Sequence, residues 1–247
     1  MRIRFRYNES MNVFWKKLTD ESSAKDVSYL IERQIQGDRQ SKELDDKSVG
    51  IILNLNEKPS SQTVKLILLT LKSLKQQLPK ANLFVLSDMY FTDLETSLKS
   101  EIKDVRFLQM EHFKKLEKQR RPLRIDFFGT TKKTIFLSNQ YISKSIFYAD
   151  FIIPLTVINP DSTFQMHGSL ASFFWLNPTY TRNEILVQDN NLQRCSSLIE
   201  NISKIFPKIH CAINISTKEP YPFIVLSQNP VSADAVCSVL CGIPTSK

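Results

Sequence analysis

Two short apolar runs, VGIILNL (49–55) and NLFVLSD (82–88), together with what lies between them, decide the fold. Each run has the length and the branched-residue content of a strand buried on both faces. Between them, Pro59, Ser60 and Ser61 supply helix-start chemistry: a ring already at the helical φ, and hydroxyls that accept from free N–H groups. Val64, Ile67, Leu68, Leu71, Leu74 and Leu78 then recur at three- and four-residue steps, so one stripe of a helix is apolar. Pro79 ends it. Strand, helix and strand in this span form a βαβ unit, which requires a parallel pair and a right-handed crossover.

Reading outward, residues 1–8 alternate Ile3, Phe5 and Tyr7 against Arg2, Arg4 and Arg6, the pattern of a strand. Residues 10–36 are predicted to be helical, with Val13, Phe14, Leu18, Val27, Leu30, Ile31 and Ile35 as the apolar positions. Residues 37–47, GDRQSKELDDK, are polar and read as a loop or a frayed helix. Beyond the βαβ unit, helices are predicted at 92–101, 142–148, 168–176, 192–206 and 231–241. Strands are predicted at 105–108, 134–137, 149–158, 210–215 and 222–226. Gly242 is a natural stop for the last helix. Buried strands alternating with helices give an α/β fold: a layered, mostly parallel sheet with helices on both faces. No repeat, linker or low-complexity run interrupts it. The expectation is a single domain over 1–247, with residues 1–48 as an N-terminal strand and helix leading into the first βαβ unit.

Composition narrows the function classes. The chain has 247 residues, 42% hydrophobic and 23% charged, values that suit a globular α/β domain and exclude disorder. With only 5 glycines, Gly-rich phosphate loops are disfavoured, and no Walker loop, GxGxxG, HExxH or nucleophile elbow occurs. The start, MRIRFRYNES, is basic with no apolar core behind it, and no run of about 18 apolar residues follows. A cytoplasmic protein without membrane insertion is expected. The net charge of +8 is densest at 112–124, HFKKLEKQRRPLR, with Lys114, Lys115, Lys118, Arg120, Arg121 and Arg124. Without interleaved aromatics this electrostatic patch reads as a solvated helix end and loop, and it disfavours nucleic acid as a partner.

In open α/β sheets, ligands bind beyond the carboxyl ends of the strands. The polar residues falling there include Asn54, Asn56, Ser87, Asp88, Asn214, Ser216, Ser227 and Asn229, although turns and caps use the same residue types. The candidate ligand-binding residues are Asn56, Asp88, His167, Asn229 and Asp234. Asn56 and Asn229 would serve as strand-end hydrogen-bonders. Asp234 would cap the final helix or order the Asn-Pro turn. Asp88, with Asp93 and Glu95 nearby, has the chemistry for Mg²⁺ and a nucleotide. Cys195, Cys211, Cys237 and Cys241 form no CxxC pair and read as buried thiols. Cys237 and Cys241 share a helix face. With Cys211 and His210 they are weak metal candidates, and packing is the favoured reading. No metal, cofactor or catalytic residue is assigned on these grounds.

The C-terminal stretch LSQNPVSADAVCSVLCGIP resembles a family known as uncharacterised conserved domain 362. The match rests on Asn229-Pro230, Asp234-Ala235 and Leu240-Cys241-Gly242-Ile243. The order of elements over about 45–247 is similar too. The family's Lys-Pro-Asn after the first strand stands here as Asn54-Leu55-Asn56, keeping only the last residue. Pro154 of the middle strand is kept, while Val157 and Asn159 occupy the places of a lysine and a histidine. Ala171 and Ser172 stand where the family has Lys-Asn. His167 would stand in for the family histidine. No ferredoxin-type cysteine run is present.

The resemblance implies a divergent member that acts as a scaffold or ligand-binding subunit, for an unknown small molecule or protein partner. A homo-oligomer stays open. The alternatives are a metal- or iron–sulfur-linked redox enzyme, a nucleotide-sugar glycosyltransferase, and, third, a nucleic-acid binder through 114–124.

Overall fold

A computed structural model describes residues 2–4, 12–19, 23–36, 44, 46–55, 58–87, 92–102, 105–109, 144–161, 165–177, 182–183, 211–217 and 222–243. The strands are β1 (Arg2–Arg4), β2 (Asn12–Lys17), β3 (Ser48–Asn54), β4 (Asn82–Ser87), β5 (Arg106–Gln109), β6 (Phe151–Val157), β7 (Asn159–Asp161), β8 (Gln165–His167), β9 (Ala212–Ser216) and β10 (Phe223–Ser227). The helices are α1 (Ser23–Gln36), α2 (Ser61–Gln77), α3 (Thr92–Glu101), α4 (Ser169–Trp175) and α5 (Pro230–Leu240).

Among the described residues, eight strands form one sheet in the order β1-β2-β10-β9-β6-β3-β4-β5. The run from β9 to β5 is parallel throughout, and β1, β2 and β10 extend it antiparallel. The fold is therefore α/β with a mostly parallel sheet. β7 and β8 pair separately, antiparallel.

Alternation along the strands sorts the apolar residues onto two faces. Val49, Ile51 and Leu53 of β3 share one core with Leu83, Val85, Ile153, Leu155, Ile213, Ile215, Ile224 and Leu226. Helices α1 and α2 cover that core through Val27, Ile31, Ile67, Leu71 and Leu74. On the other face, Val13, Ala212, Phe223 and Val225 pack against Ala233, Val236 and Cys237 of α5.

The helix ends follow local chemistry. Ser60 Oγ accepts from Thr63 N at 3.2 Å to cap α2. Asn229 Oδ1 accepts from Val231 N at 2.8 Å and Ser232 N at 3.2 Å to cap α5, with Pro230 at its first position. Gly242 has φ +67, the left-handed turn that closes α5.

One expectation is corrected. Residues 12–17 are strand β2, and the helix begins only at Ser23. Val13, Phe14 and Trp15 are branched or aromatic, and the segment finds antiparallel partners on both sides, in β1 and β10. Cross-strand pairing outweighs the loose helical spacing. The helix predicted at 142–148 is a 3₁₀ helix, Lys144–Tyr148. The segments predicted at 134–137 and 192–206 lie outside the described residues. No helix among the described residues is long and apolar enough to cross a membrane.

Candidate functional site

The register of the parallel strands brings three polar residues into one transverse row. Asn54 of β3 lies opposite Thr156 of β6, and Thr156 lies opposite Asn214 of β9. Each lies near the carboxyl end of its strand and is at most 2% exposed. Buried amides and hydroxyls need partners, since an unsatisfied one costs about 1–3 kcal/mol. The partners come from β8, α4 and α5, which cover this end of the face.

At the β9 end the network is closed. Asp234 of α5 accepts from Ser169 N at 2.7 Å, Leu170 N at 2.9 Å and Asn214 Nδ2 at 2.8 Å. Ser169 Oγ donates to Asn214 Oδ1 at 2.6 Å. Gly168, at the start of α4, contributes no side-chain cap, so Asp234 supplies the acceptor from a distant helix. An added Cβ at Gly168 would lie 2.6 Å from the Asp234 carboxyl, which explains the glycine by space alone. Burial pushes the Asp234 carboxyl above its ordinary value of 3.8, and the bonds from Leu170, Asn214 and Ser169 pull it partly back. The positive end of α4 is thus filled by the protein's own carboxyl group.

Asn214 Nδ2 also lies 3.4 Å from Cys237 Sγ. Burial, and then the neighbouring Asp234 charge, push this thiol well above 9.0. It is therefore a packed thiol and a poor nucleophile. Ser169 Oγ donates its hydrogen bond to the Asn214 amide oxygen, and its side chain also reaches the Asp234 carboxyl.

At the β3 end the network is open. Asn54 Nδ2 lies 2.6 Å from His167 Nε2 and donates to Ser172 Oγ at 3.3 Å. Ser172 Oγ lies 2.8 Å from Thr156 Oγ1. Asn54 Oδ1 is buried and has no partner among the described residues, and the same holds for Trp175 Nε1. The His167 ring stacks at 5.3 Å, tilted by 31°, on Trp175. The Arg182 guanidinium lies 4.1 Å from the centre of the Trp175 ring, and its Nη1 donates to Trp175 O at 3.2 Å. An acceptor, an indole N–H, an imidazole and a stacked guanidinium are therefore grouped around α4. Such a set can hold a small polar molecule by hydrogen bonds and offers one proton-carrying ring.

Of the candidates read from the sequence, His167 and Asp234 fall in this network, at its open and closed ends. Asn229 is placed as the cap of α5. Asn56, Asp88, Cys195, His210 and the patch Lys114, Lys115, Lys118, Arg120, Arg121 and Arg124 lie outside the described residues. Cys211 belongs to the core on the opposite face from Cys237, so these two cannot share a metal, and Cys241 is half-buried beyond the end of α5. Among the described residues no three His, Cys, Asp or Glu side chains are grouped to hold a metal. A groove of about 670 Å³ on the α1–α2 side is lined by residues such as Leu18, Val64, Leu66 and Lys72. It is mainly apolar, includes the Lys72–Glu101 ion pair in its lining, and lies on the face of the sheet opposite the polar row.

Asn54 and Asn214 stand among the strand-end polar residues of the sequence and Ser172 among its departures from the family, while nothing in the sequence marks Thr156 and Ser169 as partners of these residues. A signal was present: polar residues inside apolar runs, Asn54 in IILNL, Thr156 in IPLTV, and Asn214 with Ser216 in AINIS.

No family model matches the chain, and no curated protein matches it in sequence. In three dimensions it is similar to the lactate racemase apoprotein from Thermoanaerobacterium thermosaccharolyticum, with a TM-score of 0.60 and 15% identity. The alignment covers 99% of this chain and 63% of that one, so the chain spans less than two thirds of the racemase's length. At this identity the likeness is one of fold, and it places the chain among α/β proteins of that architecture.

Proposed function

We propose that the chain is a divergent relative of conserved domain family 362, one α/β domain that binds a small polar molecule where β3 and β6 meet α4. The observation that carries the reading is Asn54 Oδ1, a buried amide oxygen without a protein partner among the described residues, set beside His167. Native proteins pair such atoms, so a ligand group or ordered water that donates to it completes the site. The C-terminal match at Asn229-Pro230 and Asp234-Ala235 supports the family reading. Asp234 is then structural, and His167, Asn54, Trp175 and Arg182 form the recognition set. The reading carries with it a cytoplasmic location.

The similar structure is that of lactate racemase, so a 2-hydroxycarboxylate is the first ligand to try. Thermal unfolding of the purified chain with lactate, with inorganic phosphate, and with a nucleoside diphosphate plus Mn²⁺ tests it. A ligand at about 100 times its Kd stabilises the native state by about 2.7 kcal/mol. The expected result is stabilisation by lactate or phosphate that is lost in Asn54→Leu and weakened in Trp175→Phe, which keeps a ring but deletes the indole N–H. Stabilisation only by the nucleotide and Mn²⁺ would move the reading to nucleotide-sugar transfer. No stabilisation by any of the three would sink the site.

A further inference from the structure

We infer that Asn54 is a positioning residue for His167, fixing its neutral tautomer with the proton on Nδ1. This rests on the reading that His167 faces the ligand, and it concerns which ring nitrogen is left to donate.

The argument runs through the donors and acceptors of one buried chain of side chains. Asn54 places Nδ2 at 2.6 Å from His167 Nε2 and at 3.3 Å from Ser172 Oγ. An amide nitrogen carries two protons and no acceptor lone pair. With one proton given to each neighbour, both are used. His167 Nε2 must then offer its lone pair, so the single proton of the neutral ring sits on Nδ1. Ser172 Oγ, accepting from Asn54, is free to donate to Thr156 Oγ1 at 2.8 Å.

Reversing the amide would let Oδ1 accept from Nε2–H and from Ser172. It would also turn the NH₂ group, with two donors, towards the place where Oδ1 now lacks a partner among the described residues. The first arrangement leaves the Asn54 carbonyl oxygen and the Nδ1–H of the ring without a described donor or acceptor, whereas the reversed one leaves two amide N–H groups and a ring lone pair, and an orphaned buried donor is the heavier penalty. The ring itself is held at 1% exposure against Trp175, so it does not escape the constraint by turning to solvent. Sequence position fits as well: Asn54 is the last residue of β3, held by its strand, while His167 ends the short strand β8. The rigid partner directs the other.

Nitrogen NMR of the full chain with ¹⁵N-labelled histidine reads this directly. There are 3 histidines, and the signal lost in His167→Gln assigns the ring. The expected result is a pyrrole-type Nδ1 and a pyridine-type Nε2 in the ligand-free protein. Asn54→Asp should reverse the two, because a carboxylate accepts from Nε2–H. Asn54→Gln, which can restore the amide contact, should keep the wild-type pattern. The backbone amide spectrum of each variant shows whether it is folded. A protonated Nε2 in the wild type, or a pattern unchanged in folded Asn54→Asp, would overturn the inference. Because the measurement needs no ligand, its failure is separate from a failure to bind lactate or phosphate.

Discussion

Replacing Gly168 by alanine should unfasten α4 from α5. The backbone at Gly168 has φ −111, which any residue adopts, so the penalty comes from space. The new Cβ would sit 2.6 to 2.7 Å from the Asp234 Cγ, Oδ1 and Oδ2 atoms. Asp234 is short, and its carboxyl is held by Ser169 N, Leu170 N and Asn214 Nδ2, so it can yield only by giving up these bonds. Hydrogen bonds to a charged group contribute about 1.5–3 kcal/mol each. Losses within one network do not add fully, and a displaced carboxyl regains some solvent. The expected destabilisation is therefore about 3–5 kcal/mol. For a chain of this size that is a fall in Tm of roughly 6–20 °C, at about 2–4 °C per kcal/mol.

Urea unfolding of the wild type, Gly168→Ala, Asp234→Ala and the double variant measures it. Once Asp234 is alanine, the carboxyl that the Cβ strikes is gone. Gly168→Ala should then change stability by no more than about 0.5 kcal/mol. A single-variant loss below about 1 kcal/mol, or a cycle additive within about 0.5 kcal/mol, would refute the proposed clasp.

Three other outcomes follow from the same geometry. Burial raises the folded-state pKa of Asp234 above 3.8, so in the window above that value the folded state holds more protons than the unfolded one. Its favourable contribution is complete below the window and is lost as pH rises through the folded value; Asp234→Asn should flatten that part of a stability–pH curve, and an unchanged slope would contradict it. Native-state alkylation followed by mass spectrometry should modify Cys241 before Cys237 and Cys211, which are buried, with the Cys237 thiol also pushed up by burial; equal rates at Cys237 and Cys241 would be inconsistent with the packing. Gly50→Ala would place a Cβ 3.1 Å from Ala149 Cβ and 3.2 Å from Phe84 Cζ, so a loss of about 1–3 kcal/mol in urea midpoint analysis is expected, and a stabilised protein would show that β3 has more room than described.

The βαβ unit was legible because its signals were local and mutually consistent. The strands at 48–54 and 82–87, and the helix between them with its Ser60 cap, all depend on residues close in sequence. The segment 12–17 was misread because its partners, β1 and β10, include a strand about two hundred residues away, and spacing carries no record of such a pairing. The site was half legible. His167 and Asp234 stood out as titratable groups beside turns. Their meaning depended on contacts across the fold: Asp234 fastens a helix 64 residues earlier in the chain, at Leu170, and leaves the cap of its own helix to Asn229. Asn54 and Asn214 were legible only as strand-end polar residues, and their joining with Thr156 in one row was hidden, because that row exists only after β3, β6 and β9 align.

That row has a consequence for how the sheet chooses its pairing. A strand that slips by one residue turns every side chain to the opposite face. For β9 such a slip would drive Asn214 into the aliphatic core of Ile51, Leu155 and Leu71, where no described side chain offers its amide a partner, and would turn Ile213 and Ile215 towards Ser169 and Asp234. Uniformly apolar strands would tolerate several offsets with similar burial. The buried Asn54, Thr156 and Asn214, answered by fixed partners on β8, α4 and α5, single out one offset, so the polar row works as an alignment key for the parallel half of the sheet.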